Sequence, residues 1–191
     1  MPKHILHIHG FNSSPQSFKA QQSKAFFAQY YPQLMFHCPQ IANTPSAAIK
    51  QLTELIDRYP NEQWYLIGSS LGGYFSSYLA ERFNLKAALV NPAVKPYQLL
   101  SDYVGVQINP YTQEKFEVTT DFIDDLKQLE QFKIKEKNYL VMVQTHDEVL
   151  NYQDAVEKYQ NCQLIVQQGG DHSFVNFEKM LPTIVKFFDL P

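Results

Sequence analysis

Short apolar runs alternate with helix-period segments along the whole chain. Six runs have the length and character of strands: residues 4–9, 34–38, 63–69, 86–91, 138–145 and 162–167, several of them bounded by Pro, Gly or Asn. Between them, apolar residues recur at the helical period. The clearest case is Ile49, Leu52, Leu55 and Ile56, which share one face of a helix opened by Thr44 as N-cap and Pro45 as its first residue. Residues 18–30, 71–83, 152–159 and 177–188 read as further helices. Strands that alternate with helices predict an α/β fold: about six mostly parallel strands with helices on both faces. Right-handed crossovers then bring every strand's C-terminal end to one edge, where open α/β sheets bind ligands.

One stretch departs from the alternation. Residues 92–137 are rich in Tyr, Asn, Asp and Pro, with one predicted helix at 121–131, and they separate two strands. A connection that long usually carries function, so a small cap over the sheet edge is expected. No repeat or linker divides the chain, and 191 residues fit one domain, here residues 1–191 with the cap inserted at about 92–137.

Composition narrows the partners. A net charge of −3 with only two arginines, Arg58 and Arg82, argues against nucleic-acid binding and against docking on anionic membranes. No run reaches the ~18 apolar residues of a membrane helix, and the first ten residues hold no export signal. Cys38 and Cys162 read as buried free thiols in strands. The expectation is a soluble, cytoplasmic protein whose partner is a small molecule; its oligomeric state stays open.

The sharpest chemical signal is Gly68-Ser69-Ser70-Leu71-Gly72-Gly73, directly after the apolar run Trp64-Tyr65-Leu66-Ile67. This is G-x-S-x-G in a strand–turn–helix setting, the pattern of a nucleophile elbow. Ser70 would sit in a strained turn with its hydroxyl above the sheet edge. Gly68 and Gly72 would avoid clashes at that turn, and the helix from Leu71 would aim its positive end at a developing oxyanion. A serine hydroxyl needs a base. His172, in Gly169-Gly170-Asp171-His172-Ser173-Phe174 after the last strand, stands where the Ser…Asp…His chain order puts one. Asp147, after the preceding strand, is the preferred carboxylate over Glu148 and Asp171. In His9-Gly10-Phe11-Asn12-Ser13-Ser14-Pro15 the Phe11 amide would join the Leu71 amide as an oxyanion donor. Gly10 would admit the substrate closely, and His9 would hold the loop by hydrogen bonding.

These stretches, with Asn91-Pro92-Ala93-Val94, Asn109-Pro110-Tyr111-Thr112 and Asp147-Glu148-Val149-Leu150, run in one order along nearly the whole chain. In them the sequence resembles the small bacterial α/β-hydrolase esterases of the YqiA type, once grouped as an uncharacterised protein family. The resemblance implies a minimal α/β-hydrolase and esterase activity on short-chain acyl esters, with acyl-CoA thioesters as an alternative. It also implies that Ser70, Asp147 and His172 occupy the family's triad positions. His146 stands where glycine would be expected before the aspartate.

Other constellations are weaker. His4, His7 and His9 lack an acidic or thiol partner nearby in sequence, so no metal is expected, and no cofactor: the glycine-rich turn is not a dinucleotide fingerprint, because Ser70 replaces its second glycine. Tyr97, Tyr103, Tyr111, Phe116 and Phe122 are candidates either for an acyl pocket or for packing of the cap. A thioesterase would want a cation at the pocket mouth, for which Lys95 is the candidate. A non-catalytic binding module would have no use for all three triad residues.

Overall fold

The computed structural model describes residues 1–191, and its core is one parallel sheet of six strands. In chain order the elements are β1 (Lys3–Ile8), α1 (Phe18–Tyr30), β2 (Met35–His37), α2 (Pro45–Asp57), β3 (Gln63–Ser69), α3 (Leu71–Phe83) and β4 (Lys86–Val90). Then follow α4 (Pro96–Leu100), β5 (Gly105–Ile108), β6 (Lys115–Val118), α5 (Thr120–Gln128), β7 (Tyr139–Gln144), α6 (Tyr152–Lys158), β8 (Gln163–Gln167) and α7 (Leu181–Phe187). The sheet order is β2-β1-β3-β4-β7-β8, with every pairing parallel.

Strand side chains alternate between two apolar layers, as the two-residue pleat demands. Trp64 and Leu66 of β3, Leu89 of β4 and Val141 of β7 pack with α2, α3, α5 and α6. Tyr65 and Ile67, Val90 and Met142 point the other way, towards α1 and α7. Both faces are covered, so the central strands are apolar throughout. The chain runs from β1 outward to β2 and then crosses back to β3. The crevice between the ends of β1 and β3 is therefore the switch point at which such sheets bind ligands.

The expected six-strand α/β architecture is what the chain adopts, with differences in detail. Residues 92–137 hold more than one helix: α4 and α5 flank an antiparallel hairpin, β5–β6. In β5 the apolar residues face outward, Val106 being 70% exposed and Ile108 50%, while β6 turns Phe116 and Val118 inward, so only one short strand of the pair carries a half-buried pattern. The last helix begins late. Residues 177–180 form a 3-10 turn and α7 starts at Leu181 with Pro182 in its first turn, the one place where a missing amide costs nothing. Thr44 stands at the N-cap position of α2, but its side chain makes no capping bond. Cys38 and Cys162 lie just outside β2 and β8, half-buried rather than buried, and both are free. No helix is long and apolar enough to cross a membrane.

Candidate active site

Ser70 is the single residue between β3 and α3. Its backbone sits at φ 54°, ψ −121°, a region that costs a non-glycine residue roughly 1–3 kcal/mol. The surroundings hold it there. Its N–H donates to the Val90 carbonyl at 3.1 Å, and its own carbonyl accepts from Gly73 at 2.9 Å and Ala93 at 3.1 Å. The flanking glycines are sterically required. A Cβ on Gly68 would run into the Gly72 carbonyl and the Ser76 hydroxyl; one on Gly72 would run into the Ile8 carbonyl and come within 2.6 Å of that of His9. These approaches lock the start of α3 against the end of β1.

His172 and Asp147 reach the same point from β8 and β7. The His172 Nε2 lies 3.1 Å from the Ser70 Oγ, across 102 residues of chain. Its Nδ1 lies 2.9 Å from Asp147 Oδ2 and 3.0 Å from Oδ1. A carboxylate can only accept, so Nδ1 carries the proton and Nε2 is free to accept one from Ser70. Asp147 Oδ1 also accepts the Val149 and Leu150 amides at 2.9 and 2.8 Å. Burial pushes the Asp147 pKa up. The hydrogen bonds from His172, Leu150 and Val149 push harder the other way, and the carboxyl ends below its ordinary value. It therefore stays ionised beside the imidazole. Neither rival bonds the ring: Glu148 Oε2 accepts the His172 backbone amide at 3.0 Å, and Asp171 Oδ1 is buried and unpartnered.

The residues that hold the histidine loop were not legible in the sequence. Buried Gln144, the last residue of β7, accepts the Asp171 and Val175 amides on Oε1 at 3.1 and 2.8 Å and donates from Nε2 to the Val175 carbonyl at 2.9 Å. Buried Asn91 donates from Nδ2 to the Asp171 and His172 carbonyls at 2.9 and 3.2 Å and accepts the Gln144 amide at 3.0 Å. Asn91 had entered only as part of the Asn91-Pro92 resemblance. Gln144 carried no signal, since a glutamine closing an apolar strand reads as a polar boundary.

Gly10 lies against Ser70: a Cβ there would stand 3.2 Å from the serine Cβ, so bare backbone leaves the space over the hydroxyl open. The Phe11 amide donates to no other backbone group, and Leu71, as the first residue of α3, has no intrahelical acceptor. Buried His9 ties its loop to the next one. Its Nδ1–H donates to the Gly10 carbonyl at 3.0 Å and its Nε2 accepts the Ile41 amide at 3.1 Å. Both nitrogens are thereby spent, and burial lowers the pKa. The three N-terminal histidines do not converge: His4 bonds His37 and Glu62, whereas His7 bonds Ser23 at 3.1 Å on the opposite face. No group of three or more His, Cys, Asp or Glu residues is arranged to hold a metal ion.

Two spaces flank the Phe11 loop. The cavity holding Ser70 and His172 is also lined by Lys19, Tyr111, Ser13 and Ser17. Beneath Phe11 is a smaller space of about 30 Å3 walled by Phe75, Phe116, Phe122 and Ile41. Phe116 and Phe122 meet Phe11 edge-on at 5.8 and 6.4 Å between ring centres, and Tyr103 does so at 6.0 Å. Of the five candidate aromatics only Tyr97 stands apart, its hydroxyl donating to Glu130 at 2.8 Å. Lys95 is a correction. It lines a separate surface pocket with Gln98, Glu130 and Lys158, because the turn into α4 carries it away from the sheet edge, and the cation in the Ser70 cavity is Lys19.

Solved structures share this architecture. The alpha/beta hydrolase domain-containing protein 10 from mouse superimposes with a TM-score of 0.74 at 18% identity, over 97% of this chain and 89% of that one. Est1E from Butyrivibrio proteoclasticus gives 0.72 at 16%, over 97% and 86%. The Paleococcus ferrophilus monoacylglycerol lipase gives 0.69 at 13%, over 96% and 94%. Identities this low speak for the fold: the chain is an α/β-hydrolase fold protein. Residues 4–189 match the uncharacterised protein family UPF0227, and the chain belongs to that family.

Proposed function

We propose that the protein is a serine hydrolase of small carboxylic esters, acting through an acyl-enzyme on Ser70. The observation that carries the reading is the continuous contact from Ser70 Oγ to His172 Nε2 at 3.1 Å and from His172 Nδ1 to Asp147 at 2.9 Å. His172 takes the hydroxyl proton as Ser70 attacks the ester carbonyl, and ionised Asp147 stabilises the resulting imidazolium. The Phe11 and Leu71 amides, with the N-terminal end of α3 behind them, receive the oxyanion. His172 then protonates the leaving alcohol. Water, deprotonated by the same imidazole, attacks the acyl-enzyme, and the proton returns to Ser70 as the acid departs.

In this reading residues 92–137 form a cap whose underside, Phe116 and Phe122, closes the small space beneath Phe11. Gly10, Phe11 and Leu71, which surround the oxyanion position, also line that space, and in this reading a short acyl group enters it. Asn109 fixes the cap, donating to the Ser13 carbonyl at 2.9 Å. For the thioester alternative the cation at the Ser70 cavity is Lys19 and not Lys95, so matched substrates decide between the two leaving groups. Hydrolase and lipase names among proteins of the same fold agree with the hydrolase class. The test is turnover of acetyl to octanoyl esters, with matched oxygen and thio esters, by wild type and Ser70→Ala. Replacing Ser70 should lower kcat by about a thousandfold or more. Undiminished turnover in Ser70→Ala would reject the assignment.

A further inference from the structure

We infer that Lys19 reads a negative charge on the substrate, so that the preferred esters carry an anionic group close to the scissile bond. The inference rests on the serine-hydrolase reading, because the cavity that Lys19 lines is the one holding Ser70 and His172. Lys19 lies in the first turn of α1 and lines the cavity together with Ser70, His172 and Tyr111. An ammonium group has three donors. One is spent on the Ser173 carbonyl at 3.0 Å, and Lys19 forms no ion pair.

The half-buried ammonium keeps two donors free for a ligand that enters the cavity. Burial lowers the Lys19 pKa, and the fields of Asp171 and Asp147 oppose that shift. Neither carboxylate pairs with Lys19: Asp147 accepts from His172, Val149 and Leu150, and Asp171 forms no ion pair. The ligand chemistry that fits is a carboxylate or phosphate oxygen, bonded by the free ammonium hydrogens, with the Ser13, Ser17 and Tyr111 side chains lining the same cavity. Its place beside Ser70 leaves two positions for the charge, the acyl part or the leaving alcohol.

Size-matched ester pairs separate these. Monomethyl malonate against methyl isovalerate places a carboxylate on the acyl side. Para-acetoxybenzoate against its methyl ester places one on the leaving group. Wild type should show higher kcat/KM for the charged member of one pair, and which pair it is locates the anion. Lys19→Met should reduce that charged-to-neutral ratio by about ten- to a hundredfold, and Lys19→Arg should restore most of it. A ratio near one in wild type overturns the inference. So does a Lys19→Met variant that loses charged and neutral turnover in equal proportion, which would make Lys19 a positioning group for the Ser173 turn. Failure of the parent reading looks different: no ester of either pair is turned over and Ser70 takes no fluorophosphonate, and the inference then falls with it.

Discussion

His7 makes the fold acid-sensitive by a calculable amount. Its ring is 1% exposed, with Nδ1 on Ser23 and Nε2 buried without a partner. Burial first, then the Lys19 and His9 charges, lower its pKa from 6.5 to about 3. The unfolded chain therefore binds a proton at this position near 6.5, and the folded chain binds none until about 3. Within that window the unfolded state holds more protons, so stability falls as pH falls, by about 1.4 kcal/mol per unit from this group alone. Above 6.5 the ring is neutral in both states and contributes no slope. The perturbation is His7→Leu, which removes the titration and leaves the Ser23 hydroxyl short of one hydrogen bond, worth about 1 kcal/mol at neutral pH. Urea unfolding of both proteins from pH 7 to pH 5 measures the difference. The variant should gain about 2 kcal/mol on wild type across that range. Parallel stability curves would refute the reasoning. His37, whose pKa burial and His4 also lower, adds a slope common to both proteins and cancels in the comparison.

Other outcomes follow from the site. Gln144→Ala frees the Asp171 and Val175 amides that hold the histidine loop, so kcat should drop about ten- to a hundredfold with KM little changed; an unchanged kcat would show the loop to be held without it. Phe116→Ala removes a wall of the space beneath Phe11, and the ratio of hexanoyl to acetyl kcat/KM should rise by about fivefold or more. A constant ratio would place the acyl chain elsewhere. Gly72→Ala drives a Cβ into the Ile8 and His9 carbonyls and should cost at least about 2 kcal/mol in urea unfolding, whereas an unshifted midpoint would contradict the tight seat of α3 on β1.

The parallel sheet was legible because its strands are buried on both faces, which writes each of them as a continuous apolar run such as Trp64–Ile67. The span of α3 was legible from the helix-period segment that follows the G-x-S-x-G turn at Ser70. The hairpin β5–β6 was not legible. Its turn is held by Asn109, which accepts the Tyr111 and Thr112 amides; β5 exposes its apolar residues, and the four residues of β6 are too short an alternation to mark a strand. Local chemistry nominated Ser70, Asp147 and His172, because strand-to-helix turns leave short, recognisable patterns. Lys19, Asn91 and Gln144 act through contacts made only on folding: the Lys19 bond to Ser173 spans 154 residues, and nothing near Lys19 in sequence announces it. Lys95 misled for the same reason, being close to the cap in sequence and in a different pocket in space.

The account turns on Ser70 being an activated nucleophile. Treatment with a fluorophosphonate, followed by mass mapping of the adduct, tests this most directly. A single adduct on Ser70, lost in Ser70→Ala and formed far more slowly in His172→Ala, is the predicted result. An adduct on Ser69 or another side chain, or none on the folded wild-type protein, would contradict it.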